Sequence, residues 1–330
     1  MGELILGIES SCDETSAAVV DRELNVLSCV TASQIELHNE YGGVYPEMAS
    51  RQHVANILPV VHEALAEAGV EGRDLHAIGV TRGPGLMSSL SVGVGSARAM
   101  GRGWGVPVMG INHLRGHVSS AELNGFGIEF PALLLLVSGG HTLLAVMEDS
   151  ARFRLLGETR DDSVGEAYDK VARELGLGYP GGPIVDRMAK SGEARGRLPQ
   201  VMVTDGYDFS LSGLKTATKR LIREQPELSV ADVCAEFVDA CLGMLTRRVS
   251  AAVAAESLRS VVVVGGVAAS PPLRARIQAL CDEAGLRLLL PDLQWATDNA
   301  AMIGGAAWRY LEVDAPFELG VDPRLRFDQF

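Results

Sequence analysis

Long hydrophobic runs, aromatic residues and paired cysteines are all scarce in this sequence. The longest apolar run, around Ala132–Val137, is far too short to span a membrane. The N-terminal MGELILGIESS has no basic segment, so we expect no signal peptide. The five cysteines form no C-x-x-C pair, and their odd number argues against a disulfide framework. The cysteine pattern therefore indicates a reducing cytoplasm. Aromatic residues make up only 5% of the 330 residues, whereas the 37 glycines suit an α/β protein with glycine-rich turns.

Positive charge is also scarce, with 29 lysines and arginines against 42 acids. The resulting net charge of −13 argues mildly against generic nucleic-acid binding. Two zones are exceptions. Residues 75–121 contain four arginines and no acid, and residues 187–223 contain eight lysines and arginines against three acids. Such zones could guide one polyanion to a defined site, although ordinary solvated surface explains them equally well.

Two halves of the chain follow the same plan. ELILGIESSCDETSAAVVD is an apolar strand, a short turn and a second strand, and ALLLLVSGGHTLLAVMED repeats that order. Each passage continues into a predicted third strand, at 26–32 and at 153–157. A strand, a Gly-rich turn and a helix then follow in AIGVTRGPGLMSSLSVGVGSARAM and again in SVVVVGGVAASPPLRARIQALC. Two matching pairs in the same order indicate two homologous lobes.

The periodicity predicts an α/β fold with mixed sheets covered on both faces by helices, and a ligand cleft between the lobes. The predicted helices are Ser50–Ala68, Ser88–Gly103, Asp162–Leu175, Leu211–Arg223, Val230–Glu256 and Asn299–Leu311. Three turns, Ser10–Thr15, Ser138–Thr142 and Gly265–Ser270, follow strands and could hold anions with their free N–H groups. Together these turns favour a nucleotide or acyl-phosphate ligand.

The segment GINHLRGHVSS places His113 and His117 four residues apart, on one face of a helix. This is the spacing of the H-E-x-x-H zinc proteases, in which the residue after the first histidine is the catalytic glutamate. Here Leu114 stands in that place, so a metal could bind but a protease lacks its base. The commoner alternative is that the two helix histidines form ordinary hydrogen bonds and bind no metal. Taken by itself, Asp298 is expected to be the N-cap of the helix that begins at Asn299.

A set of longer motifs resembles one known family. ESSCDETSAAVV, YGGVYPEMASRQHV, GPGLMSSLSVG, NHLRGH, LVSGGHT, GEAYDKVARELGLGYPGGP, FSLSGLKTA, VVVVGGVAAS and ATDNAAMIG occur in the order of the bacterial tRNA N6-adenosine threonylcarbamoyltransferase (TsaD) family, once described as glycoproteases. The motifs run from about residue 4 to residue 305. The resemblance implies a two-lobed actin/sugar-kinase-like (ASKHA) fold. We set the lobes at 1–120 with a C-terminal helix at about 301–330, and at 121–300.

The resemblance also implies the reaction and its metal. The family transfers the threonylcarbamoyl group from threonylcarbamoyl-AMP to N6 of the adenosine 3′ of the anticodon, in tRNAs that read codons beginning with A. Its members hold one divalent metal ion, often described as iron, with zinc as the other candidate. Carried over to this sequence, the metal ligands are His113, His117 and Asp298.

The remaining site residues follow from the same resemblance. The turn that holds the carbamoyl-adenylate comprises Leu136, Val137, Ser138, Gly139 and Gly140, with catalytic roles for Ser138, Asp13 and Glu14. The adenylate ribose is expected to contact Asp169, Gly182 and Asp186. Ser270 occupies a position where the family usually has asparagine, and serine cannot reproduce its bidentate amide contact. Glu47, Arg51 and His53 could line the mouth of the same site.

The resemblance implies several partners besides tRNA. They are a paralogous TsaB-like subunit without the metal and a TsaE-like ATPase; the free chain could form a homodimer. We expect the paralogue to dock on the helices at Ser50–Ala68 and Ser88–Gly103, and tRNA to contact Lys215 and Lys219. No membrane partner is expected. The alternatives are a metalloprotease, an ASKHA-type ATPase or kinase, and a metal-free scaffold.

Overall fold

The chain packs around separate cores in two units. The computed structural model describes residues 3–39, 41, 43–125, 127–199, 206–313, 315 and 318–329. Unit 1 comprises Met1–Gly127 and Pro291–Phe330, and unit 2 comprises Ile128–Leu290. The boundaries set from the sequence, at 120 and 300, lie up to ten residues from these limits. The difference matters for Asp298, which belongs to unit 1 rather than to the second lobe.

Within the described residues, the strands are β1 Leu4–Glu9, β2 Glu14–Asp21, β3 Val26–Ser33, β4 Ala77–Gly83, β5 Val108–Asn112, β6 Ala132–Val137, β7 Thr142–Met147, β8 Phe153–Glu158, β9 Ser260–Val264 and β10 Arg287–Leu289. The helices are α1 Ile35–Asn39, α2 Pro46–Ala68, α3 Met87–Trp104, α4 His113–Ser120, α5 Val164–Glu174, α6 Gly181–Ala189, α7 Ser212–Glu224, α8 Val230–Ala255, α9 Pro271–Ala284 and α10 Ala300–Glu312. Among the same residues we find no helix with both the length and the apolar character that a membrane crossing requires.

The two sheets have the same topology, which confirms the duplication predicted from the sequence. Unit 1 has the strand order β3-β2-β1-β4-β5, and unit 2 has the order β8-β7-β6-β9-β10. In each unit the first strand lies at the centre, antiparallel to the second strand and parallel to the fourth. Central strands are buried on both faces, which explains the unbroken apolar runs LILGI and ALLLLV.

Helices cover both faces of the unit 1 sheet, as the sequence predicts. One core contains Ile5 and Ile111 with residues of α10, and the other contains Leu6 and Val80 with residues of α2 and α3. The unit 2 core packs side chains from β6, β7 and β9 against α5 to α9. The helix α10 ends at Glu312. The C-terminal helix predicted at about 301–330 therefore extends too far.

A close contact between β1 and α10 sets the position of the segment that carries Asp298. A Cβ atom on Gly7 would lie 2.7 Å from the backbone nitrogen of Gly304 and would also collide with the carbonyl oxygen of Ala300. Only glycine lets the first turn of α10 approach the centre of the sheet this closely.

We expect Gly7→Ala to lower the free energy of unfolding by about 1–3 kcal/mol or more, because the first turn of α10 must move to accept the methyl group. Urea unfolding of the purified protein measures this change. The matched control is Gly103→Ala on α3, where a Cβ atom meets nothing within 4 Å. An equal loss of stability in both variants would contradict the packing argument.

Candidate active site

The helix α4 is fully buried and presents two histidines on one face. The strand β5 ends at Asn112, whose side-chain oxygen accepts a hydrogen bond from the backbone N–H of Leu114 at 3.0 Å and so caps the helix. His113 and His117 follow one turn apart, with ring centroids 4.7 Å from each other. The ring of His117 has no exposed surface. The structure therefore places His113 and His117 side by side on one helix of unit 1, as their spacing predicts.

Asp298 joins this pair from the loop before α10. Its Oδ1 atom lies 3.3 Å from Nε2 of His117 and 3.6 Å from Nε2 of His113. The helix cap is a different residue, because Asn299 accepts the backbone N–H of Met302. The N-cap reading of Asp298 is thus wrong, and its carboxylate faces the histidines instead.

The three side chains fit a divalent metal ion. One ligand atom from each of His113, His117 and Asp298 lies within 4.8 Å of the others. Among the described residues, neither ring nitrogen of His117 has a hydrogen-bond partner, although both are buried. A buried polar atom without a partner is costly, and a metal ion would satisfy Nε2. Two imidazoles and one carboxylate form a donor set used by iron and zinc sites that keep open positions.

Glu9, which the sequence analysis missed, orients the first histidine. Its Oε2 atom lies 3.0 Å from Nδ1 of His113 and accepts a hydrogen bond from Thr81 at 2.6 Å. Its Oε1 atom accepts the backbone N–H of Ser11 at 2.5 Å. A carboxylate behind a ligating histidine fixes the ring orientation and tautomer. The sequence feature that could have identified Glu9 was its place as the one acid at the end of an otherwise apolar strand.

Electrostatics at this cluster favour positive charge. Burial opposes protonation of His113, but the carboxylates of Asp298 and Glu9 outweigh it and raise the pKa of the ring to about 9. Burial alone would raise the pKa of Glu9, yet the attraction of His113 and its hydrogen bond hold that pKa below the ordinary value. Both effects show that the pocket concentrates negative potential where a cation would bind.

Of the two acids predicted as catalytic, Asp13 ends the turn between β1 and β2 of the same unit, and Glu14 is the first residue of β2. Asp13 is buried, with 8% of its surface exposed. Burial, together with the negative charges of Asp13, Asp298 and Glu9, raises the pKa of Glu14 to about 10. The sequence placed these two acids in one turn, and the fold brings that turn close enough to Asp298 for their charges to interact.

In unit 2, the predicted turn after β6 is exposed at its tip. The side chains of Leu136 and Val137 are fully buried in the sheet, so only their main chain could contact a ligand. Ser138 closes the turn, because its Oγ atom accepts the backbone N–H of His141 at 3.1 Å. Gly139 and Gly140 are exposed, and a Cβ atom on either one meets nothing within 4 Å. The open space above them is suited to a ligand.

Two of the predicted anion turns lie side by side in unit 2. Gly265, at the end of β9, has a φ of +92°, and a Cβ atom there would lie 2.8 Å from the carbonyl carbon of Val137. Glycine is needed at this position both for its backbone conformation and for the close approach. The Ser138–Thr142 and Gly265–Ser270 turns therefore form one continuous edge.

The predicted ribose contacts also lie in unit 2. The Oδ1 atom of Asp169 accepts the backbone N–H of Gly181 at 2.7 Å, which ties α5 to the start of α6. Gly182 follows in open space. Asp186 and Ser270 are buried, and Asp186 Oδ1 and Ser270 Oγ both lack a hydrogen-bond partner of ordinary length among the described residues.

Tyr168, which the sequence analysis did not select, belongs to the same group. Its buried hydroxyl also lacks a hydrogen-bond partner of ordinary length. Burial raises the pKa of Asp186, and the nearby hydroxyls of Ser270 and Tyr168 oppose that rise. The three buried side chains therefore form one polar group in unit 2, in which the two hydroxyls interact with the Asp186 carboxyl.

Several cations of the two basic zones form ion pairs with acids from other parts of the chain. Lys215 and Lys219, expected to contact tRNA, pair with Asp162 at 2.8 Å and Glu174 at 2.7 Å. In the first zone, the buried Arg82 pairs with Glu318 at 3.1 Å. Asp205, one of the three acids counted in the second zone, lies outside the described residues. Lys215 and Lys219 are therefore each engaged by an acid of the same chain.

Comparisons of this chain with known proteins point to one family. The family model described as tRNA N6-adenosine threonylcarbamoyltransferase matches residues 25–305. A protein of that name from Symbiobacterium thermophilum is 48% identical over 309 residues, covering 92% of this chain and 91% of the relative. One from Desulfitobacterium hafniense is 46% identical over 329 residues, covering 97% and 96%.

Among solved structures, HypF of T. kodakarensis aligns with a TM-score of 0.62 at 13% identity, covering 97% of this chain and 49% of HypF. At that identity the likeness concerns the fold alone. It confirms the predicted actin/sugar-kinase-like class, with duplicated mixed sheets flanked by helices.

Proposed function

The chain belongs to the tRNA N6-adenosine threonylcarbamoyltransferase family, and from this premise we propose the details of its reaction. The threonylcarbamoyl group passes from threonylcarbamoyl-AMP to N6 of the adenosine 3′ of the anticodon, in tRNAs that read codons beginning with A. AMP is released, and the reaction takes place in the cytoplasm with tRNA. The observation that carries the proposal is the His113, His117 and Asp298 cluster in a chain of this family.

We propose that His113, His117 and Asp298 hold one divalent ion, with iron(II) as the first candidate and zinc(II) as the second. When bound, such an ion supplies Lewis-acid polarisation to the oxygen atoms of the donor. The imidazole of His117, which is buried without a hydrogen bond and faces Asp298, and the carboxylate behind His113 support this assignment. A catalytic rather than structural role follows from having three protein ligands, which leave coordination positions open.

The donor is a mixed carboxylic–phosphoric anhydride, so its carbonyl carbon is already activated. The protein must therefore supply orientation and stabilise developing charge. We assign the phosphate or the oxyanion to the Ser138–Gly140 main chain, which is exposed at Gly139 and Gly140. Asp169, Gly182 and Asp186 would hold the ribose. Ser270 would supply one hydrogen bond where the family usually has an amide.

In the transfer step, the N6 amine of adenosine attacks the carbamoyl carbon. A C–N bond forms, the C–O bond to phosphate breaks, and AMP leaves with the electron pair. The proton lost by N6 passes to the departing phosphate. Asp13 and Glu14 orient the amine, because their carboxyl oxygens can accept its N–H groups. The target base must leave the anticodon-loop stack, at a cost of a few kcal/mol.

We propose that a TsaB-like subunit docks on α2 and α3 of unit 1, and that a TsaE-like ATPase acts on the assembly. Val54 and Leu58 lie one turn apart on α2 and are 65% and 62% exposed. Met87, at the start of α3, is 55% exposed. Two large apolar side chains exposed one turn apart on a helix are typical of an interaction surface.

Replacing both Val54 and Leu58 by glutamate should abolish binding of the paralogous subunit, because two charges would be buried without partners in an apolar interface. Calorimetric titration of the purified chain with that subunit measures the effect. The control is Leu293→Glu, at a side chain equally exposed at 64% but outside α2 and α3. Unchanged affinity in the double variant would place the interface elsewhere.

The proposed reaction is tested by incubating the protein and its partners with preformed threonylcarbamoyl-AMP, labelled in threonine, and unmodified tRNA. We expect label in the tRNA, recovered as threonylcarbamoyladenosine after digestion to nucleosides. Absence of label with folded, metal-loaded protein and all partners would overturn the proposal. Casein cleavage would favour the metalloprotease alternative, and ATP hydrolysis without partners would favour the ATPase alternative.

A further inference from the structure

His53 is buried in the first half of α2 and contacts the residues on both sides of Asp13 and Glu14. Its ring has no exposed surface. Its Nε2 atom lies 2.9 Å from the carbonyl oxygen of Cys12, and its Nδ1 atom lies 2.7 Å from the hydroxyl of Thr15. One side chain therefore holds the residues immediately before and after the two acids.

The partners of the ring define its tautomer. A carbonyl oxygen only accepts hydrogen bonds, so Nε2 must carry the proton that it donates to Cys12. Burial lowers the pKa of His53 below its ordinary value, although the contact with the Cys12 carbonyl opposes that shift. The ring is therefore neutral near pH 7, and its Nδ1 atom accepts the hydroxyl proton of Thr15. Both polar atoms of the ring are satisfied, and each has a fixed role.

The turn has further supports on its other sides. The backbone N–H of Gln34 donates to the carbonyl oxygen of Asp13 at 3.0 Å. The hydroxyl of Ser16 accepts the backbone N–H of Ala300 at 3.0 Å, which links the start of β2 to the helix that follows Asp298. These contacts anchor the main chain of Asp13 and the side chain of Ser16. Only the imidazole of His53 joins Cys12 to Thr15 across the acid pair among the described side chains.

We propose that His53 is a positioning residue for the transfer reaction, acting through the Cys12–Thr15 turn on Asp13 and Glu14. The inference rests on the proposed role of those two acids. It does not require His53 to touch substrate, and it predicts an effect on the transfer step rather than on metal or donor binding. A misplacement of about 1 Å in a group that orients a reactant can reduce the rate by about a hundredfold.

The experiment compares four single variants in the threonylcarbamoyl transfer assay with partners and metal. His53→Leu removes both ring contacts, whereas His53→Gln keeps an N–H donor that can reach the Cys12 carbonyl. Thr15→Val removes the hydroxyl, and Thr15→Ser keeps it. We expect kcat to fall about tenfold to a hundredfold in His53→Leu and Thr15→Val. His53→Gln and Thr15→Ser should recover most of that loss.

Three further readouts separate positioning from a general loss of structure. KM for threonylcarbamoyl-AMP, metal content and the thermal midpoint of His53→Gln should stay close to those of the unmodified protein. The ¹⁵N chemical shifts of the His53 ring should report a neutral ring protonated at Nε2 near pH 7. A ring protonated at Nδ1 would overturn the contact scheme and the proposal with it.

Two kinetic outcomes would also overturn the positioning role. One is a folded His53→Leu variant with the kcat of the unmodified protein. The other is a loss of metal and stability in both His53 variants, with no recovery in His53→Gln, because that pattern describes a purely structural residue. If the unmodified protein itself transfers no label, the proposed function fails as well, and this result is distinct from the other two.

Discussion

Replacing His117 by alanine is expected to empty the metal site and to lower threonylcarbamoyl transfer by about a hundredfold or more. The imidazole of His117 is fully buried, its Nε2 atom lies 3.3 Å from Oδ1 of Asp298, and neither ring nitrogen has a hydrogen bond of good geometry among the described residues. In this account its Nε2 atom is a metal ligand, and without it only His113 and Asp298 remain. A Lewis acid contributes several kcal/mol to charge stabilisation, and each 1.4 kcal/mol corresponds to a factor of about ten in rate.

Elemental analysis of the purified variant and the transfer assay measure the two effects separately. The matched control is His76→Gln, which alters a half-exposed histidine of the same unit that stacks on Trp308. Metal content and transfer should be unchanged in this control. If His117→Ala kept a full complement of metal and normal transfer, the assignment of the ligands would be wrong.

Glu9→Gln is expected to weaken metal binding by about tenfold to a hundredfold while leaving all three ligands in place. The carboxylate accepts the N–H of Ser11 on Oε1 and the hydroxyl of Thr81 on Oε2, and Oε2 also faces Nδ1 of His113. When Nε2 binds the metal, Nδ1 carries a proton and needs an acceptor. Glutamine has one oxygen and one NH₂ group, so either orientation sets a donor against a donor.

Competition with a chelator of known affinity measures the metal dissociation constant of this variant. Glu122→Gln is the matched control, because Glu122 is a buried carboxylate of the same unit that pairs with Arg309 at 2.9 Å, outside the metal cluster. The control should lose stability without losing metal affinity. Equal metal affinities in Glu9→Gln and the unmodified protein would remove Glu9 from the metal site.

Patterns that repeat over short distances allowed much of the fold to be predicted. The strand–turn–strand passages at 3–21 and 132–149 predicted the duplicated sheets, and the helical period predicted α2 within four residues of its start. The spacing of His113 and His117 predicted their common face. These features depend on neighbours along the chain, where local geometry determines which side chains meet.

Features that depend on distant residues could not be derived in the same way. Asp298 reaches the histidines from 181 residues after His117, and only the family resemblance identified it as a ligand. The ion pair of Lys215, predicted to contact tRNA, could not be derived either, because its partner Asp162 lies 53 residues earlier. Glu9 looked like the end of a strand, and its role became visible only once β1, β4 and α4 were assembled.

The most direct test of the central claim is metal removal and restoration in the transfer reaction. The protein is stripped with a chelator, shown to remain folded, and assayed with its partners, threonylcarbamoyl-AMP and tRNA before and after anaerobic addition of stoichiometric iron(II). We predict no transfer by the stripped protein and recovery on addition of the metal, with no recovery in His117→Ala. Full transfer by folded protein from which all metal has been removed would contradict the account.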